Sequence, residues 1–170
     1  MTSDPRLRVP LLVGTALVVH LSVLTRVRIV GVMPDLMLLL AVAAGITGGQ
    51  GYGAVVGFAS GMAVDLFLQT PLGLSALVFT VIGYAVGLAQ TGILRSSWWI
   101  PLLTAFVASA VGELAFAAAG AMVGEAQMLT GRIWLVMVVV GATNAFLAPL
   151  TVRTMSWALA RRPAHGAYVV

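Results

Sequence analysis

The sequence predicts an all-α integral membrane protein with about six transmembrane helices in a compact bundle. Three observations predict it. The chain of 170 residues is 61% hydrophobic and only 8% charged, whereas a soluble domain carries about a quarter charged residues. Its mean hydropathy is +1.08. Its apolar residues fall in long runs that do not alternate as barrel strands do, and in lipid only helices and closed barrels satisfy the backbone. About six spans of roughly 20 residues each leave no room for a soluble domain, so residues 1–170 read as a single transmembrane helical domain.

The first span is expected from Val9 to Thr25. Arg6 and Arg8 ahead of an apolar run resemble a signal peptide, but the run is long and no A-x-A-like site follows it, so a retained span is the expectation. A short loop then carries Arg26 and Arg28. Span two opens at Pro34-Asp35, where proline suits a first helical turn and the carboxylate meets the positive end of the helix dipole. It runs to about Thr47, and Gly48-Gly49-Gln50-Gly51 reads as a tight turn. Span three reaches about Leu68, and Gln69 to Gly73 turns the chain again. Span four extends to about Gln90. Arg95 marks a loop, with Trp98 and Trp99 at the water boundary. Span five runs from Pro101 to Met122, Glu125 to Arg132 is a loop, and span six runs from Ile133 to Leu159 with Pro149 as an expected kink. Arg161-Arg162 closes it. Spans two and three are short for a hydrocarbon core of about 30 Å, so a re-entrant hairpin is the alternative there.

Charge sets an expected orientation. All nine basic residues are arginine. With the N-terminus inside, Arg6, Arg8, Arg95, Arg153, Arg161 and Arg162 lie on the inner side, and Arg26, Arg28 and Arg132 on the outer side. That bias favours both termini in the cytoplasm, and it explains the basic pI without nucleic acid as a partner. Cysteine is absent, which excludes disulfides, thiol catalysis and thiolate metal sites.

The stretch from Pro34 to Gly87 carries the most information. Gly49, Gly53, Gly57, Gly61 and Asp65 recur at four-residue steps, which places them on one slowly drifting stripe of a helix. Small residues let helix backbones approach closely in lipid, so Gly53, Gly57 and Gly61 are expected to pack a helix, with Gly83 and Gly87 repeating the device on span four. Ionisable groups at membrane depth are expensive and need a reason. His20, Asp35, Asp65 and Glu113 all fall toward the outer side, within reach of Arg26, Arg28 and Arg132. Together with Asn144 they are the candidate buried polar or partner-contact residues. Each also has a plainer reading. Asp35 suits a helix N-terminus, Asp65 and Glu113 suit paired packing charges, and His20 suits a hydrogen-bonded interior histidine.

Catalytic signatures are missing. Neither G-x-S-x-G nor H-E-x-x-H occurs. A lipoprotein signal peptidase has a similar length and an aspartate pair, but its Asn-x-Ala-Asp type motif is absent, because Asn144 is followed by Ala145-Phe146-Leu147. One buried histidine with scattered acids does not make a metal site. No enzyme, cofactor or metal is expected.

Pro34-Asp35-Leu36, the glycine-rich third span ending in Asp65, Pro71-Leu72-Gly73 and the Gly83-Tyr84 region, in that order, resemble the bacterial rod shape-determining protein MreD family. The glycine turn between spans two and three departs from the family, which often has basic residues there. The resemblance implies a non-enzymatic inner-membrane subunit of the cell-elongation machinery that binds MreC. Through MreC it would couple MreB filaments to the RodA glycosyltransferase and its penicillin-binding transpeptidase. It also implies a six-helix fold similar to the substrate-binding subunits of energy-coupling-factor transporters. Two other functions stay open: a small-molecule, vitamin-like binding subunit of a transporter, whose polar groups His20, Asp65 and Glu113 would converge on an outward cavity, and an intramembrane hydrolase.

Overall fold

The computed structural model describes residues 5–24, 28–68, 71–92, 99–124 and 131–160. Six α-helices account for most of them: α1 (Pro5–Val19), α2 (Leu36–Gly48), α3 (Gln50–Phe67), α4 (Leu74–Gly92), α5 (Ile100–Met122) and α6 (Ile133–Leu159). Among the described residues, the only β pairing is a single bridge between Ile29 and Val32. Arg26, Arg95, Trp98, Glu125, Arg161 and Arg162 lie outside the described residues, as does the Arg6 side chain.

The architecture is organised around α2. Its sequence, LMLLLAVAAGITG, contains no charge and no polar residue before Thr47. Met37 to Ala44 are 0–2% exposed on every side of the helix, and α2 touches all five other helices. A helix that is apolar all round belongs in an interior, and here the surrounding helices form that interior. At 13 residues it is about 20 Å long, at 1.5 Å per residue. It is therefore shorter than a hydrocarbon core of about 30 Å, and its walls are other helices.

One residue reverses the chain between α2 and α3. Gly49 has φ +80° and ψ −174°, a backbone region essentially confined to glycine, and α3 starts at the next residue. The four-residue turn read from Gly48 to Gly51 is thus reduced to a hinge, because Gln50 and Gly51 are already helical. The first span differs too. It begins at Pro5 as an α-helix and ends in a π-helical turn, His20–Leu24. At α6, helix continues unbroken through Pro149.

The outer surface is apolar. Val55, Phe58 and Leu66 of α3, Leu77 and Val81 of α4, and Phe146 and Leu150 of α6 are all more than half exposed. Trp134 and Trp157, near opposite ends of α6, are exposed as well, as aromatic residues are at the two membrane–water interfaces. Large apolar side chains facing outward, over an interior that includes alanine, glycine and serine, mark a protein whose solvent is lipid. α5 and α6 are long and apolar enough to cross a membrane, and α1, α2 and α4 contain shorter apolar stretches.

The most extensive helix pair is α3 with α4, and it is built from backbone. A Cβ added to Gly53 would run into the carbonyl of Gly83, and one added to Gly57 into that of Phe79. At Gly61 it would meet the backbone of Ser75 and Ala76, and at Gly87 the backbone of Gly49 and Gln50. Gly83 faces the Gly53 carbonyl in return. At the far end of the molecule, Arg8 of α1 clasps α6. Its guanidinium lies 4.7 Å from the Trp157 ring centroid, and its Nη1 donates to the Trp157 carbonyl at 3.2 Å.

Candidate functional site

The end of the bundle where α1 finishes and α2 begins holds a cavity of about 470 Å³. Its polar wall contains His20, Asp35, Ser75 and Glu113, with Arg28 in the connecting segment, and Phe79 and Phe116 are among its apolar lining.

Asp35 reaches this wall through its role at the start of α2. Its Oδ1 accepts from the Met37 and Leu38 amides at 2.9 and 3.0 Å, which is the N-cap arrangement. The cap uses one carboxylate oxygen. Asn144 of α6 fixes the backbone below it. The Asn144 Nδ2 donates to the Asp35 carbonyl and to Ser109 Oγ of α5, both at 2.9 Å, so one fully buried amide joins α2, α5 and α6. Its Oδ1 has no hydrogen-bond partner among the described residues.

His20 stands where α1 gives way to the π-helical turn. Such turns re-aim the side chains of a helix and recur at functional sites. The imidazole is only 5% exposed, yet its Nδ1 has no partner among the described residues. Glu113 projects from the middle of α5 and is half-buried. Asp35 lies within electrostatic reach of both His20 and Glu113. Among the described residues, no group of three histidine or acidic side chains is placed to hold a metal ion.

The approach to α2 is a strained hairpin. Ile29 and Val32 exchange both backbone hydrogen bonds, at 2.9 and 3.0 Å. Val30 and Gly31 between them have φ of +54° and +83°, the signs that a two-residue type I′ turn requires. For a β-branched residue this conformation is unfavourable by about 1–2 kcal/mol. The turn sets Gly31 to Pro34 against the cavity with the exposed Arg28 beside them. Arg28, expected as a loop charge able to pair with the acids, makes no ion pair with Asp35 or Glu113 among the described residues. The hairpin has no signal in the sequence, because valine is unfavourable in a turn that needs positive φ.

Asp65 is placed elsewhere. Its carboxylate, 3% exposed, turns to the start of α4. There Oδ2 accepts from the Gly73 and Ala76 amides at 2.9 and 3.2 Å, and Oδ1 from the Ser75 amide at 3.2 Å. A carboxylate at the end of α3 thus caps the next helix across the turn. The expected convergence of His20, Asp65 and Glu113 is corrected accordingly: His20 and Glu113 meet Asp35, and Asp65 serves the α3–α4 connection. The glycines of the stripe lie in the α3–α4 contact, away from the cavity wall.

Compared with known families, residues 5–151 match the model described as rod shape-determining protein MreD. No curated protein and no solved structure matches the chain.

Proposed function

Because the chain belongs to the rod shape-determining protein MreD family, with a role in determining rod cell shape, we propose that it is a non-enzymatic subunit of the bacterial cell-elongation complex in the cytoplasmic membrane. It binds MreC, and through MreC it helps couple MreB filaments to peptidoglycan synthesis by RodA and its penicillin-binding transpeptidase. The family match over residues 5–151 carries this reading. The lipid-facing apolar surface supports the membrane location.

We place the protein as a six-helix, multi-pass bundle with both termini in the cytoplasm, on the arginine distribution. The fold proposed is akin to the transporter substrate-binding subunits named above. In this orientation His20, Asp35 and Glu113 face the outer leaflet side, and Arg8 with Trp157 the inner one. Reporter fusions at Ser3 and Ala167 both report cytoplasmic location if this is right, and an external signal from either overturns the topology.

The deciding experiment is complementation. A rod-shaped bacterium depleted of its own family member rounds up, and expression of this chain restores rods. Affinity capture from the rescued membranes recovers MreC. Rounding that persists at normal membrane levels of the protein, or capture without MreC, refutes the proposal.

A further inference from the structure

The cavity at the α1–α2 end is a polar-walled site to which the family match assigns no role. Its volume of about 470 Å³ falls within the range of small-ligand pockets, roughly 300–1,000 Å³. Two carboxylates, Asp35 and Glu113, line it, and the one guanidinium among its described lining residues is that of Arg28. Arg28 is exposed to solvent, so its charge is screened from the interior.

His20 supplies the second and independent observation. It lines the same cavity, is 95% buried by its 5% exposure, and leaves Nδ1 without a partner among the described residues. Buried polar nitrogens are ordinarily satisfied, and the π-helical turn that begins at His20 is a local departure from α-helix at that position. A metal ion does not explain these features, because the three groups do not converge closely enough to coordinate one. An occupant must span several ångströms, offer N–H donors to two carboxyl groups, and present an apolar arm to Phe79 and Phe116.

We propose that this cavity binds a group bearing one cationic nitrogen centre, an alkylammonium or alkylguanidinium, held between Asp35 and Glu113 beside the His20 imidazole. Asp35 is suited to the task because its N-cap bonds use Oδ1 alone, which leaves Oδ2 for the ligand. The same chemistry is offered by a free amine or guanidine and by a lysine or arginine side chain of a neighbouring protein. The inference rests on the geometry of the cavity and is independent of the shape-determining reading.

The test uses the full chain in nanodiscs. The sequence has two histidines, so a His165→Gln background leaves His20 as the single imidazole signal in a histidine-labelled NMR spectrum. Butylammonium and butylguanidinium are titrated against butanol and butyrate. The cations are expected to shift the His20 signal saturably, and butanol and butyrate are not. Glu113→Gln is expected to weaken the cations by about tenfold, the loss of one charge-assisted hydrogen bond. Asp35→Asn retains a capping side chain and serves as the second variant, with helical content and monodispersity checked for each. Ser156→Ala, exposed near the opposite end of α6, leaves the affinity unchanged.

A capped tripeptide with a central arginine separates the two sources. Binding tighter than butylguanidinium assigns the group to a partner's basic side chain; binding only of the small cations assigns it to a free amine or guanidine. Equal responses to butanol and butylammonium, no saturable shift, or unchanged cation affinity in both carboxylate variants overturn the proposal.

Discussion

The seam between α3 and α4 and the cavity at the α1–α2 end of the bundle solve opposite problems. At the seam, backbone lies on backbone, and the added Cβ of Gly53, Gly57, Gly61, Gly83 or Gly87 would strike main-chain atoms. At the cavity the same bundle leaves about 470 Å³ unfilled and surrounds it with ionisable groups. Lipid tails are as apolar as leucine, so helices in a membrane associate through close packing and hydrogen bonds rather than through burial from water. The seam maximises the first, and at the cavity the Asp35 carboxylate is held by the first amides of α2. The difference teaches that polar residues in this chain divide by what their hydrogen-bonding atoms face. Asp65 gives both oxygens to three backbone amides, whereas Asp35 gives one oxygen to two amides and, with Glu113, lines a hollow.

Overpacking the seam is the strongest way to break this comparison. Gly57→Leu and Gly61→Leu drive a side chain into the α4 backbone, and the expected result is loss of folded protein from the membrane, beyond the about 1–3 kcal/mol typical of overpacking. Gly14→Leu, where an added Cβ meets nothing within 4 Å, is expected to leave thermal stability in detergent unchanged. Equal stability of all three variants refutes the seam as a packing device.

The next effect is at the Asp65 cap. Asp65→Leu leaves three amides of the α4 start without their acceptor, and a loss of about 3 kcal/mol is expected, since each buried unsatisfied donor costs about 1–3 kcal/mol and part of that relaxes. Asp65→Asn keeps one acceptor and is expected to retain most of its stability and much of its shape-supporting activity. Full inactivity of Asp65→Asn at normal membrane level, scored by complementation and blot, would move Asp65 from a capping residue to a functional acid.

Asn144→Ala removes the amide that joins α2, α5 and α6. Interhelical hydrogen bonds in membranes average about 0.6 kcal/mol and reach about 1.7, so a stability loss of about 1 kcal/mol is expected in a detergent unfolding titration. A loss equal to that of Asp65→Leu would show that the cavity end is as rigid as the seam, which erases the contrast.

The smallest stability effect is expected at the cavity wall itself. Asp35→Asn preserves an N-cap, because asparagine and aspartate cap almost equally, and a change of at most a few tenths of a kcal/mol is expected. Glu113→Gln keeps the shape of a side chain that makes no structural hydrogen bond among the described residues, and stability is expected to hold. A large destabilisation by either variant would place these acids with Asp65 as structural.

The amino-acid sequence by itself determined the solvent, the helical class and the stripe. Sparse charge and long apolar runs admit helices in lipid, and four-residue spacing places Gly53, Gly57 and Gly61 on one face because a helix repeats every 3.6 residues. It also placed Asp35 at a helix start, since proline and aspartate before an apolar run satisfy the first amides. Tertiary structure alone decided that α2 would be walled in by the other helices, that Gly83 and Phe79 carbonyls would receive the stripe, and which acids would share a space. Periodicity gives a side chain's face but not its neighbour. Asp65 and Glu113 look equivalent along the chain, and they separate only because the Pro71–Gly73 turn returns α4 onto the end of α3. Val30 and Gly31 are the clearest case. Local propensity argues against valine at positive φ, so the hairpin that sets Arg28 beside the cavity, closed by the paired Ile29 and Val32 backbone bonds, is not contained in any reading of neighbouring residues.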